Sequence, residues 1–224
     1  MAAEQGGLMV DLQQLNEKYR SMAPSERMSE VYKDFERILV TSSFGTTSAL
    51  LLHMVTQAKP DQIVHFIDTT YHFKETMAYK DQLTRLLNLN VEVLKGEAWK
   101  NEYTRNFEVW KKEPDICCSI NKVEPVDRIK DNYQIWVSGL MRWQNSHRQK
   151  LDVFEQKGNI IKFYPIIDIS EEDLEKYYIE HKLPQHALRE LGYESVGCIH
   201  CTKQGKRREG RWVNFFKNEC GLHI

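Results

Sequence analysis

No apolar run in the chain approaches the roughly 20 residues that a membrane span requires, and Met1 to Val10 combine neither a basic start nor a long apolar stretch. A membrane protein is therefore not expected, and the chain reads as cytoplasmic. An excess of one charge is also missing: 31 Lys and Arg against 32 Asp and Glu leave a formal net charge of -1. Any polyanion must be held by a local cluster, because no bulk field would attract nucleic acid or a membrane surface. Internal repeats and low-complexity segments are absent. Cysteine is scarce, five in 224 residues, and gathered in three places: Cys117 with Cys118, Cys198 with Cys201, and Cys220 alone. An odd, grouped set excludes a disulfide framework and, in a reducing compartment, favours metal binding or redox chemistry. What the chain does have is 41% apolar residues, enough for one sizeable core.

Ser25 to Glu36 spaces apolar residues helically, and Ile38 to Thr41 is a β-favouring run that leads into Ser42, Ser43, Phe44 and Gly45. Thr46 to Ala58 predicts a helix with Leu50, Leu51, Met54 and Val55 on one side, followed by Pro60 and a second apolar run, Ile63 to Ile67. That is a βαβ unit. The alternation continues with a helix near Lys74 to Asn88, a strand at Val91 to Leu94, a helix from Ile120 to Lys130 and strands at Ile135 to Gly139 and Ile160 to Ile167. Ser170 and Asp173 resemble the capped start of a helix ending near His181. The sum predicts an α/β fold, a mostly parallel sheet flanked by helices. After Pro184 the patterns fade, and residues 184–224 read as a functional tail folded over the sheet edge.

Several constellations could carry chemistry. The loop Ser42-Ser43-Phe44-Gly45-Thr46-Thr47-Ser48 lies between strand and helix, where backbone N–H groups, hydroxyls and the helix dipole can hold a phosphate. It lacks the Gly-Lys-Ser/Thr of a Walker loop, and a plain helix cap is the alternative. Asp68 closes the second strand, where open parallel sheets bind ligands, or it caps the next turn. Cys117, Cys118, Cys198 and Cys201 offer four thiolates for zinc or an iron–sulfur cluster; the adjacent pair fits a zinc knuckle poorly, and buried apolar cysteines are the third alternative. Lys203, Lys206, Arg207, Arg208 and Arg211 crowd after the second pair, as a solvated run, a nucleic-acid patch or an anion-capture site. Cys220 stands outside the metal set, as an incidental thiol or as a mobile nucleophile activated by nearby cations.

Taken together these segments resemble the phosphosulfate reductase family, and within it the assimilatory adenosine 5′-phosphosulfate (APS) reductases that carry an iron–sulfur cluster. The resemblance runs from about Ser42 to His223. Its most specific elements are Glu219-Cys220-Gly221-Leu222-His223, the stretch from Gly192 to Thr202 around Cys198 and Cys201, and Cys117-Cys118 followed by Lys122, Glu124 and Pro125. It implies an adenine-nucleotide α-hydrolase-like fold with a helical lead-in over 1–36, a nucleotide-binding part over 37–183 and a cluster-binding, catalytic tail over 184–224 of the same domain. It further implies a [4Fe-4S] cluster on Cys117, Cys118, Cys198 and Cys201, with Cys220 as nucleophile. Substrate would be held by Ser42, Ser43, Gly45, Thr46, Thr47, Asp68, Lys122, Arg142, Arg208, Arg211 and His223.

The implied reaction turns APS into sulfite and AMP through an S-sulfocysteine that thioredoxin or a similar dithiol resolves. Neither nucleic acid nor membrane is an expected partner, and a homo-oligomer is left open. The chain departs from the family pattern at Met141, where an arginine is usual, at Asn121, where an arginine often precedes the lysine, and at Thr70, where glycine often follows Asp-Thr. Three rivals stand beside this reading: the same reaction on the 3′-phosphorylated substrate (PAPS), an ATP pyrophosphatase-type thiolation enzyme, and a zinc-bearing nucleic-acid-binding module.

Overall fold

A computed structural model describes residues 11–217 and 219–223. The first ten residues of the expected lead-in, and Asn218 and Ile224 of the expected tail, lie outside the described residues. Two helices come first, α1 (Leu12–Arg20) and α2 (Pro24–Asp34), and α1 starts where the Asp11 carboxylate accepts from the N–H groups of Gln13 and Gln14. Alternation then sets in: β1 (Ile38–Ser42), α3 (Ser48–Ala58), β2 (Ile63–Asp68), α4 (Lys74–Leu86), β3 (Asn90–Lys95) and α5 (Ala98–Asn106). A nearly continuous helical stretch follows, α6 (Pro114–Cys118), a π-helical turn over Ser119–Val123, and α7 (Glu124–Lys130). The chain completes the sheet with β4 (Ile135–Val137), β5 (Phe154–Lys157) and β6 (Ile160–Phe163) before α8 (Glu171–Glu180). The hydroxyl of Ser170 caps α8 by accepting from the Asp173 N–H at 3.0 Å.

The strand order is β3-β2-β1-β4-β6-β5, parallel throughout except for the β5–β6 hairpin. Parallel strands covered on both faces are apolar runs, and β1 (Ile-Leu-Val-Thr-Ser) and β6 (Ile-Ile-Lys-Phe) fit that rule except at Lys162. From β1 the chain winds outward to β2 and β3, then returns to β4 on the other side. The order therefore reverses between β1 and β4, and loops leaving their carboxyl ends diverge to open a crevice.

One sheet face carries the main core, with Val40, Val64, Phe66, Val137 and Phe163 packed under α3 and α8. The opposite face carries Leu39, Ile67, Trp136 and Ile160, covered by Val126 of α7 and by Trp212, Cys220 and Leu222. The C-terminal segment thus lies across a sheet face rather than over the sheet edge, because its apolar side chains fill the half of that face left bare by α7.

The N-terminal helices are fastened by Arg27, whose side chain is 1% exposed. Its guanidinium makes paired bonds to Asp168 (2.6 and 2.7 Å) and donates to the carbonyls of Tyr19, Arg20 and Pro165. Arg27→Met should lower unfolding stability by about 3 kcal/mol, since it leaves a half-buried carboxylate and three carbonyls without their donor. Urea denaturation checks this, and a loss below about 1 kcal/mol, the scale of one ordinary hydrogen bond, would contradict it.

Candidate active site

The crevice between the carboxyl ends of β1 and β4 is roofed by the segment from Glu194 to His223. Its floor is the loop after β1. Ser42 Oγ accepts from the Phe44 N–H at 3.1 Å, and Phe44 takes a left-handed backbone (φ 49°) that buries its ring edge-on to Phe66. Thr46 donates to the Glu194 carbonyl at 2.7 Å and Ser48 to the Gly45 carbonyl at 2.7 Å. The loop is therefore stapled to the roof, and Ser43 and Thr47 face the cavity. A Cβ on Gly45 would stand 3.4 Å from the Val196 carbonyl, in ordinary van der Waals contact with the roof.

The expected site residues Ser42, Ser43, Gly45, Thr46, Thr47, Lys122, Arg208, Arg211 and His223 all line this cavity, together with Cys220 and Cys198. Two others are placed elsewhere. Asp68 accepts from the Thr70 N–H at 2.8 Å and pairs with Lys95 at 3.1 Å, which makes it a turn cap. Thr70 itself has φ 64°, a conformation that glycine enters freely and a β-branched residue only under strain. Arg142 donates to the Leu151 carbonyl at 3.1 Å, outside the cavity, because the 3₁₀ turn over Arg142–Gln144 points it away. The adjacent Met141 is fully buried in the main core.

The cation that sequence reasoning missed is Arg148, which reaches the cavity from a second 3₁₀ turn over Arg148–Lys150. It clasps Glu219, Nε to Oε1 at 2.5 Å and Nη2 to Oε2 at 3.0 Å, while Arg208 takes Oε2 at 3.1 Å and Asn145 takes Oε1 at 2.8 Å. Burial would raise the Glu219 carboxyl, but the bonds to Arg148 and the charges of Arg148 and Arg208 outweigh it and hold Glu219 below the usual carboxylate range. Burial first, and then the charges of Arg148 and Arg211, disfavour the charge on Arg208. Lys122, Arg148, Arg207, Arg208 and Arg211 line the cavity against the carboxylates of Glu194 and Glu219, which leaves a net demand for an anion. Arg211 stacks 4.6 Å from the Trp212 ring and lies so close to Gly197 that a Cβ there would overlap its guanidinium.

Unpartnered polar atoms mark the same place. Eight buried side-chain N or O atoms find no partner among the described residues, and six belong to residues lining this cavity: His72, Ser138, Trp143, Arg211, Trp212 and His223. Such atoms cost free energy unless a ligand or water meets them, so their clustering fits a site shaped for a polar guest.

The four paired thiols gather beside the cavity. Cys117 and Cys118 end α6, while Cys198 follows Gly197 and is held by a 3.3 Å contact to Thr69 Oγ1 and by the bond from the Ile199 N–H to the Tyr71 carbonyl at 2.7 Å. Burial, then the neighbouring Cys198, Cys118 and Cys201, push the Cys117 thiol up to about 12; burial and Cys198 push Cys201 up to about 11. Cys117 and Cys201 therefore feel their neighbouring thiols. Among the described residues no three His, Cys, Asp or Glu side chains form a group that could hold one metal ion. Asn121 donates to the Cys117 carbonyl at 3.0 Å and approaches its sulfur at 3.6 Å, so this side chain is spent on the cysteine helix. Burial disfavours the Lys122 charge, but Cys198, Cys118 and Cys220 outweigh it and raise its pKa.

The model of the phosphoadenosine phosphosulfate reductase domain matches residues 37–204. The chain belongs to that family. Curated family members include a phosphoadenosine 5′-phosphosulfate reductase of Vibrio atlanticus, 37% identical over 95% of this chain and 86% of its own. An adenosine 5′-phosphosulfate reductase of Chelativorans is 38% identical over 86% of this chain and 81% of its own, and one of Bacillus cereus is 34% identical over 88% of each. Among solved structures, a phosphoadenylyl-sulfate reductase of Candida auris in a phosphate complex superposes with a TM-score of 0.77 at 24% identity, covering 88% of this chain and all of that one. The FMN adenylyltransferase of Candida glabrata follows at 0.57 and 13%, over 92% of this chain and 70% of its own. These likenesses identify the adenine-nucleotide α-hydrolase fold of the family. No helix among the described residues is long and apolar enough to cross a membrane.

Proposed function

We propose that this chain is an oxidoreductase acting on a sulfur group, which reduces adenosine 5′-phosphosulfate to sulfite and AMP in sulfate assimilation. The observation that carries the reading is the meeting of Cys220, the β1–α3 loop and the guanidiniums of Arg148, Arg208 and Arg211 in one cavity at the strand-order reversal. In the reaction the Cys220 thiolate attacks the sulfate sulfur, a sulfur–sulfur bond forms, the sulfur–oxygen bond to phosphate breaks, and AMP leaves with the electron pair. Two anions meet in that step. Lys122, Arg208 and Arg211 cancel their repulsion and stabilise charge on the departing phosphate, while the N–H groups of the β1–α3 loop hold the nucleotide phosphate.

A thiol of thioredoxin or a similar dithiol then attacks the Cys220 sulfur of the sulfocysteine. Sulfite leaves with the electrons of the sulfur–sulfur bond, and the second thiol then attacks the mixed disulfide, closing a disulfide on the reductant and releasing the Cys220 thiolate. The roles of the site residues, the division into a lead-in (1–36), a nucleotide-binding part (37–183) and a tail (184–224), and a cytoplasmic location belong to the same proposal.

Three buried thiols and the half-buried Cys201, with Thr69 and Asn121 as polar neighbours, fit a [4Fe-4S] cluster on Cys117, Cys118, Cys198 and Cys201. When bound, such a cluster supplies fixed negative charge beside Lys122 and ties α6 to the C-terminal segment. A zinc-bearing nucleic-acid module is disfavoured because Arg208 and Arg211 are turned inward over the cavity, where a polynucleotide backbone cannot reach them.

The substrate choice favours APS over PAPS. Relatives bearing either name are about equally similar, so identity does not decide it. The four cysteines point to APS, and a 3′-phosphate would add close to two negative charges that need donors of their own. Glu219 already occupies two of the cavity's guanidiniums. With thioredoxin as reductant, kcat/KM should favour APS by about tenfold or more, roughly 1.4 kcal/mol. A tenfold preference for PAPS would reverse the assignment.

A further inference from the structure

One buried cation that the proposed reaction leaves unused is Lys162, in the middle of β6 and 1% exposed. Side chains alternate along a strand, so Ile161 and Phe163 enter the main core while Ile160 and Lys162 face the C-terminal segment. There the ammonium lies 4.4 Å from the centre of the Trp136 ring and donates to the Leu222 carbonyl. Glu155, its register partner on β5, and Glu219 act on it only electrostatically, as do Cys220 and Lys157; its one hydrogen bond among the described residues is to the tail. Burial accordingly lowers its pKa to about 8. An ammonium in so apolar a place costs free energy unless it is hydrogen-bonded, and here the Leu222 carbonyl and the Trp136 ring meet it.

Cys220 is held from both sides. Upstream, Glu219 is clasped by Arg148 and Arg208; downstream, the Leu222 carbonyl is held by Lys162, and His147 Nε2 lies 2.9 Å from the His223 carbonyl. The intervening turn closes through the His223 N–H to Cys220 carbonyl bond at 3.0 Å.

We propose that Lys162 is a positioning residue for the nucleophile: by gripping the Leu222 carbonyl from the sheet face, it fixes the Cys220 turn against the cavity. The part concerning nucleophilic attack rests on the function proposed above; the grip itself does not. Release of the grip would let the turn swing outward, the movement that a sulfonated Cys220 needs to meet a reductant protein.

The test compares wild type with Lys162→Met, using Lys162→Gln as a second neutral variant should the first not fold and Lys162→Arg as the conservative one. Peptide-resolved alkylation of Cys220 by iodoacetamide, without substrate, should quicken at least about tenfold in the neutral variants, the factor one charge-assisted hydrogen bond is worth. Single-turnover sulfonation of Cys220 should slow by a similar factor, AMP binding should stay unchanged, and Lys162→Arg should recover part of both rates. The melting temperature should change little, because removing the ammonium also removes its desolvation cost, which offsets the loss of one hydrogen bond to the Leu222 carbonyl. Wild-type alkylation in the neutral variants, or loss of both rates together with a lowered melting temperature, would overturn the proposal. If wild type forms no sulfonated enzyme at all, the proposed reaction fails while the alkylation comparison still decides the grip.

Discussion

Cys220→Ser should abolish sulfite release, by about 10⁴-fold or more, the scale on which removal of a covalent nucleophile acts, while leaving nucleotide binding intact. A serine hydroxyl is almost wholly protonated at neutral pH and cannot form the sulfur–sulfur bond on which the electron bookkeeping of the second step depends. The substitution is nearly isosteric, and Cys220 shares the apolar cluster of Trp136, Ile160, Trp212 and Leu222, so the turn should keep its place. Wild type treated with substrate but no reductant should gain one SO₃ group on the peptide bearing Cys220, and the variant none. An adduct on any other cysteine, or undiminished sulfite release by the variant, would remove Cys220 from the nucleophile's role.

The strands were legible because a doubly covered parallel sheet writes itself as apolar runs, and β1, β2 and β4 begin within a residue of where those runs begin. What escaped had no such pattern. Helix α5 carries Trp99 and Tyr103 on an exposed side, with Phe107 just beyond its end, so it shows no core-facing stripe. Strand β5 has a single buried residue, Phe154, in a short antiparallel edge hairpin that turns at Gly158 with φ 58°. The run from Ile160 to Ile167 ends as a strand at Phe163 because Pro165 has no N–H to donate to a ladder, although Ile166 and Ile167 remain in the core.

At the site, the loop, the cysteines and the late arginines could be read because each sits in a local cluster of like chemistry. Arg148, Glu219 and Lys162 could not. Arg148 stands in a polar stretch that reads as surface, and its meaning comes only from a carboxylate 71 residues away. A lysine within Ile-Ile-Lys-Phe suggests an edge or solvent-facing position, whereas the tail that covers it is 60 residues downstream. The resemblance points to Arg142, and nothing in the neighbouring residues tells which of two successive 3₁₀ turns reaches the cavity.

Cys198→Ser should strip the protein of its metal. Anaerobically purified wild type is expected to be brown and to contain iron and inorganic sulfide; the variant should be colourless, with both lost. The position allows the metal's contribution to be separated from that of the backbone. Cys198 is anchored by the Ile199 to Tyr71 hydrogen bond, by bridge pairing with His72 and by Thr69, and a serine can keep all three. Only the fourth thiolate is removed. In structural metal sites the binding free energy, on the order of 10 kcal/mol, appears as folding free energy, so the loss should fall most heavily on the segment that the cysteines tie down. Amide exchange between Gly197 and Trp212 should quicken in the variant, while β1 and β2, held by the sheet and the main core, keep their protection. One zinc per wild-type chain with no iron or sulfide would sink the cluster assignment, and equal iron in wild type and variant would remove Cys198 from the ligand set.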